Sequence, residues 1–90
     1  MASQRVVLTD HAKRQAQRRG LAEQVVIQVA SAPEQVLAVC AGREVRQSRV
    51  PVGPGGKTHL VRVIADVVGQ DIRVVPVYRT SKVVKYWRAP

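Results

Sequence analysis

The second half of the chain constrains the fold most, because it is a succession of valine-rich runs cut at short intervals by glycine. Gln35–Ala41 is apolar and stops at Gly42, and Arg43–Val52 alternates loosely. His59–Val68 and Ile72–Thr80 flank the turn Gly69-Gln70-Asp71. Runs of this kind, β-branched and joined by short turns, predict an antiparallel meander. Gly53-Pro54-Gly55-Gly56 interrupts the series and reads as a flexible loop. The first half has a different texture. Thr9 and Asp10 are helix N-cap types, His11–Arg19 is rich in Ala, Arg and Gln, and Gly20 stands where a glycine ends a helix. A second helix is expected over Ala22–Ser31, closed by Pro33, although its apolar positions form no single stripe. Arg5–Leu8 reads as a short strand or an extended lead-in. Helices first and strands after is an α+β order. The expected architecture is therefore a single domain over residues 1–90, with two N-terminal helices packed on an antiparallel sheet of three or four strands. The sheet face left free of helices is where chemistry is expected.

Composition narrows the function classes. A chain of 90 residues buries only about 60–65% of its unfolded surface, so the core is modest. With no Phe, that core must be built from Val, Leu, Ile and Ala. Fifteen Lys and Arg oppose six Asp and Glu, for a net charge of +9, and eleven of the fifteen cations are Arg. Arginine makes planar, bidentate contacts with phosphate that lysine cannot. The expected partner is a polyanion: RNA, DNA or an acidic protein. A single cysteine, Cys40, excludes an intramolecular disulfide, and its Val/Ala-rich surroundings predict a buried, inert thiol. Met1–Asp10 lacks the apolar core of a secretory leader, and no run nears the ~18 apolar residues of a membrane span. A cytoplasmic protein with no membrane partner is expected.

The residues that could carry chemistry are cations and hydroxyls. The Gly53–Thr58 segment lacks the glycine spacing of a nucleotide-binding loop. Two histidines, one cysteine and three aspartates are scattered without ligand spacing, so neither a metal nor another cofactor is expected. His11, Arg14 and Arg18, at spacings of three and four, share one face of the first helix. The helix dipole and the two arginines favour a neutral imidazole, which suits a general base, a base-stacking platform or a structural hydrogen bond equally. Alternation places Arg62 on the same sheet face as Leu60 and Ile64. A guanidinium in so apolar a strand needs a partner. Glu44 or Asp66 is one choice, and a bound phosphate is the other. Tyr78 and Thr80 share one face of the last strand, with Arg79 opposite and Lys82, Lys85 and Tyr86 following. A phenol, a hydroxyl and cations are what metal-free RNA cleavage uses. Tyr86 and Trp87 are either base-stacking platforms or the seal of the core edge.

Five segments carry a resemblance: Leu8-Thr9-Asp10-His11-Ala12, Arg18-Arg19-Gly20-Leu21, Ala32-Pro33, Leu60-Val61-Arg62-Val63 and Val77-Tyr78-Arg79-Thr80-Ser81-Lys82. Together they resemble a small bacterial domain family of unknown function that is itself similar to RelE- and BrnT-type toxins of toxin–antitoxin modules. The resemblance covers nearly the whole chain through short motifs. It implies a RelE-like fold, metal-independent ribonuclease activity by transfer to the 2′-OH, and an acidic antitoxin partner. The positions it points to are His11, Arg18, Arg62, Tyr78, Thr80 and Lys82. The chain departs from the pattern in lacking the dense lysine pairs of some RelE-type enzymes and in its Gly53–Gly56 loop. Three expectations follow. The first is a toxin-like endoribonuclease, with His11, Arg62, Tyr78 and Thr80 catalytic and Arg14, Arg18, Arg79, Lys82, Lys85 and Tyr86 binding RNA. The second is a nucleic-acid-binding module without catalysis, and the third is a basic adaptor for an acidic protein. A homodimer is left open.

Overall fold

Residues 5–88 are described by a computed structural model, in which the strands are β1 (Arg5–Leu8), β2 (Gln35–Cys40), β3 (Arg43–Val50), β4 (His59–Val68) and β5 (Asp71–Thr80). The helices are α1 (Asp10–Arg18), α2 (Glu23–Ser31) and a single turn, α3 (Val83–Tyr86). The sheet order is β1-β5-β4-β3-β2, and β2 to β5 form the antiparallel meander. The difference from expectation lies at one edge. β1 pairs with β5 in parallel, from Arg5 opposite Asp71 to Leu8 opposite Val74. The fold is thus α+β with three helices on a five-stranded mixed sheet, not two helices on three or four antiparallel strands.

Local chemistry sets the helices. The Thr9 hydroxyl accepts from the Ala12 amide at 3.1 Å and donates to the Val74 carbonyl at 2.8 Å, so one residue caps α1 and pins it to β5. At the other end Gly20 takes φ +66°, and the Gly20 and Leu21 amides bond back to the Gln17 and Ala16 carbonyls. This closing motif uses the left-handed conformation that glycine adopts without strain. α1 then lays Ala12 and Ala16, one turn apart, against β5. α2 buries Val26, Val29 and Ala30 and packs chiefly on β4. Val61, Val63, Ala65, Ile72, Val74 and Val77 meet them from the sheet, and this core is wholly aliphatic. Each fully buried Val or Ile there contributes about 1.5–3 kcal/mol.

One further difference has a plain cause. Cys40 is exposed rather than buried. β2 is an outer strand, and Val36 and Val39 beside Cys40 are exposed as well. The Gly53–Gly56 segment is a loop, as expected, in which Gly55 and Gly56 take positive φ. Among the described residues no helix is long and apolar enough to cross a membrane.

Candidate nucleic-acid interface

A bulge in β5 aims the side chains of the site. Val63 pairs with Val77 and Ala65 with Val74, so β5 spends one more residue than β4 over this stretch. Pro76, which has no amide hydrogen to give a ladder, lies inside the extra stretch. Without the bulge, the register running back from Val68 opposite Asp71 would place Val77 across from Arg62. With it, Tyr78 is opposite Arg62 and Thr80 opposite Leu60. The open edge of β5 is closed by Gln15 of α1, whose Oε1 accepts from the Val77 amide at 2.7 Å.

The result is a polar row across the face turned away from α1 and α2. Gln35 pairs with Gln47, Gln47 with Arg62, and Arg62 with Tyr78. Gln47 is fully buried and its amide is fully employed. Its Oε1 accepts from Arg62 Nε at 3.0 Å, and its Nε2 donates to Gln35 Oε1 at 2.7 Å and to the Tyr86 carbonyl at 3.2 Å. Above the row lies the C-terminal strap, residues 83–88. Gln35 holds the Arg88 backbone from both sides, donating to its carbonyl at 2.6 Å and accepting from its amide at 3.1 Å. The Arg62 guanidinium stacks on the Tyr86 ring at 4.6 Å and Arg49 on Trp87 at 4.1 Å, cation–π contacts that favour the docked strap. Leu60, on this same face, is fully buried.

Between β4, β5 and the strap is a cleft of about 280 Å³ lined by Arg62, Tyr78, Arg79, Thr80 and Tyr86. Larger depressions exist, one of about 390 Å³ between α2 and β3 and one of about 430 Å³ beside Lys13 and Arg14. The first holds Arg49 already paired with Glu34, and the second has neither a phenol nor a hydroxyl, so the smaller cleft is chosen for its groups. No carboxylate lines it among the described residues. Glu44 pairs with Arg46 and Asp66 with Arg43, so neither carboxylate expected for Arg62 is its partner. Arg49 takes Glu34 and Arg5 takes Asp71. The Arg43 hydrogen bond holds the Asp66 carboxyl below its ordinary value, and Arg49 does the same for Glu34. Among the described residues, four of the fifteen Lys and Arg are ion-paired and eleven are not. Arg62 meets a neutral amide and a ring, and its Nη groups make no hydrogen bond to the described residues.

The expected site residues divide between two sides of the sheet. Arg62, Tyr78, Thr80 and Tyr86 meet in the cleft, with Arg79 at its margin. Arg79 Nη1 also donates to the Val52 carbonyl at 3.3 Å. Lys82 follows the cleft, its amide donating to Thr80 Oγ1 at 3.0 Å, and Lys85 lies 5.4 Å from the Tyr86 ring centre. His11, Arg14 and Arg18 do not join them. They are exposed on α1, which packs on the opposite face of the sheet. The link between the two sides is Arg19, whose guanidinium lies 5.3 Å from the Tyr78 ring while its buried Nε has no hydrogen-bond partner among the described residues. Sequence reasoning missed Gln35, Gln47, Arg19 and Arg49. Gln47 had little signal, since β3 is a largely polar strand in which alternation puts it in line only with Val45, and its pairing with Arg62 had none. Among the described residues no three His, Cys, Asp or Glu are grouped as metal ligands. No family model, curated protein or solved structure matches the chain.

Proposed function

We propose that the chain is a toxin-like, metal-independent endoribonuclease whose site is the Arg62–Tyr78–Thr80–Tyr86 cleft. The observation that carries this reading is the half-buried Arg62, which has no carboxylate partner among the described residues and shares a cleft with two phenols and a hydroxyl. In the proposed reaction the ribose 2′-OH attacks the adjacent phosphorus, its proton passing to water. The bond to O5′ breaks, leaving a 2′,3′-cyclic phosphate and a 5′-OH. Arg62 faces the non-bridging oxygens, where charge accumulates, and such a donor is worth about 10²–10³-fold in rate. The Tyr78 phenol protonates the departing O5′ and is restored by solvent. Thr80 Oγ1 already accepts from the Lys82 amide, so its proton is available to the phosphate. Tyr86 offers a ring to a base, and Arg79, Lys82 and Lys85 hold the flanking backbone. With this reading go the RelE-like fold, an acidic antitoxin partner and a cytoplasmic setting.

His11 is left outside the proposed chemistry, because the sheet separates α1 from the cleft. The absence of an imidazole and a carboxylate among the cleft residues favours a second reading, RNA binding without cleavage. Incubation of purified protein with single-stranded RNA in EDTA separates the two. Cyclic-phosphate products lost in Arg62→Ala and Tyr78→Phe but kept in His11→Ala support the nuclease. Salt-sensitive retention of intact RNA supports the binding module. Neither retention nor cleavage excludes both.

A further inference from the structure

We infer that Gln35 is a positioning residue for Arg62, acting through Gln47, and that the C-terminal strap is part of the phosphate site. The inference rests on the proposed RNA site but concerns how that site is held. A continuous chain of hydrogen bonds runs from the strap to the guanidinium. The Arg88 backbone is bound by Gln35, Gln35 Oε1 accepts from Gln47 Nε2, and Gln47 Oε1 accepts from Arg62 Nε. The two amides have fixed polarity in this chain. Gln47 must present oxygen to Arg62, so its nitrogen must face Gln35 and the Tyr86 carbonyl. Gln47 has no access to water, so losing any of these partners strands a buried amide group and costs more than the bond itself. Releasing the strap removes the Arg88 and Tyr86 partners at once. It also removes the ring on which Arg62 stacks, and with it one wall of the cleft. Strap docking and the orientation of Arg62 are therefore one equilibrium. A phosphate that prefers the oriented guanidinium must, by linkage, favour the docked strap.

Trp87 is the only tryptophan and sits on the strap, so its emission reports docking. The test uses the full chain and a fluorescein-labelled single-stranded oligoribonucleotide of about twelve nucleotides, within the range such sites span. Gln35→Ala is expected to red-shift Trp87 emission and to weaken RNA binding about fivefold to tenfold, the share of one or two hydrogen bonds. Because Gln35 acts through Arg62, the same change made in Arg62→Ala should weaken binding no further. Arg62→Ala should itself shift the emission, although Trp87 stacks on Arg49. Val36→Ala, on the same strand and exposed, should change neither quantity. Gln35→Glu, which keeps both accepted bonds but loses the donation to the Arg88 carbonyl, should red-shift the emission less than Gln35→Ala and serves if Gln35→Ala fails to fold. The inference is overturned if the Gln35 and Arg62 effects on affinity add, or if Arg62→Ala leaves Trp87 emission unchanged. If the wild-type chain binds no RNA, the RNA reading falls alone, and the response of Trp87 to Arg62→Ala still decides the coupling.

Discussion

The two faces of the sheet are both covered, but by opposite means. Toward α1 and α2 the contact is mainly aliphatic, where Val61, Val63 and Ala65 meet Ala12, Ala16 and Val26, with the buried Arg46 donating to the Ala30 carbonyl of α2 at 2.7 Å. Toward the strap the contact is made of amides, guanidinium groups and aromatic rings, with Gln47 fully buried among them. Apolar burial is non-directional and tolerates adjustment, whereas a buried amide network fixes orientation and fails as a unit. The helix face is therefore read as the source of stability and the strap face as the holder of a placed cation. All three aromatic residues of the chain carry a cation over their rings, Arg19 on Tyr78, Arg62 on Tyr86 and Arg49 on Trp87. None belongs to the aliphatic core.

That contrast can be broken most forcefully at Ile72. Ile72→Ala on the helix face should cost about 2–5 kcal/mol in denaturant unfolding, while the folded fraction keeps its affinity for RNA. A loss of affinity at unchanged stability would dissolve the division between the faces. Arg62→Ala should do the reverse. Cleavage should fall about 10²-fold or more, with unfolding shifted by about 1–3 kcal/mol, the cost of the stranded Gln47 oxygen. Thr9→Ala, which removes both the α1 cap and the bond to Val74, should cost about 1 kcal/mol and leave RNA binding untouched.

The smallest effect concerns acid. Asp66 and Glu34 are both held below their ordinary values by their arginine partners. Such a group contributes stability above its unfolded value and loses it as pH falls through the lower, folded one. Both pairs are largely exposed, so the contribution is slight. Asp66→Asn should lower stability slightly near neutrality, where the ion pair is formed, and flatten the acid limb of a stability–pH curve below about pH 4.

The order of elements was legible because each has a local cause. Thr9 and Gly20 bracket α1, and the glycines after β2 and β4 end those strands at Cys40 and Val68. His59–Val68 was readable from end to end. What was hidden depends on pairing. The parallel partner of β1 is β5, some 65 residues away, and nothing local in Arg5–Leu8 announces it. Cys40 looked buried because its neighbours are apolar, but an outer strand exposes such residues when no helix reaches it. The single turn of α3 is built on Val83 and Val84, poor helix formers, and its strap is held by tertiary contacts instead. The site was legible in part for the same reason. Alternation placed Arg62, Tyr78 and Thr80 on definite faces of their own strands. Only the Pro76 bulge determines that those faces coincide, and only the sheet shows that His11 lies across from them.

The most direct test is a chemical-shift titration of the isotopically labelled chain with single-stranded RNA. The largest perturbations are expected on Arg62, Tyr78, Thr80 and Tyr86 and on the Trp87 indole, with His11 and Arg14 scarcely moved. Perturbations concentrated on His11, Arg14 and Arg18, with Arg62 Nε unchanged, would place the RNA on the helix side and contradict that expectation.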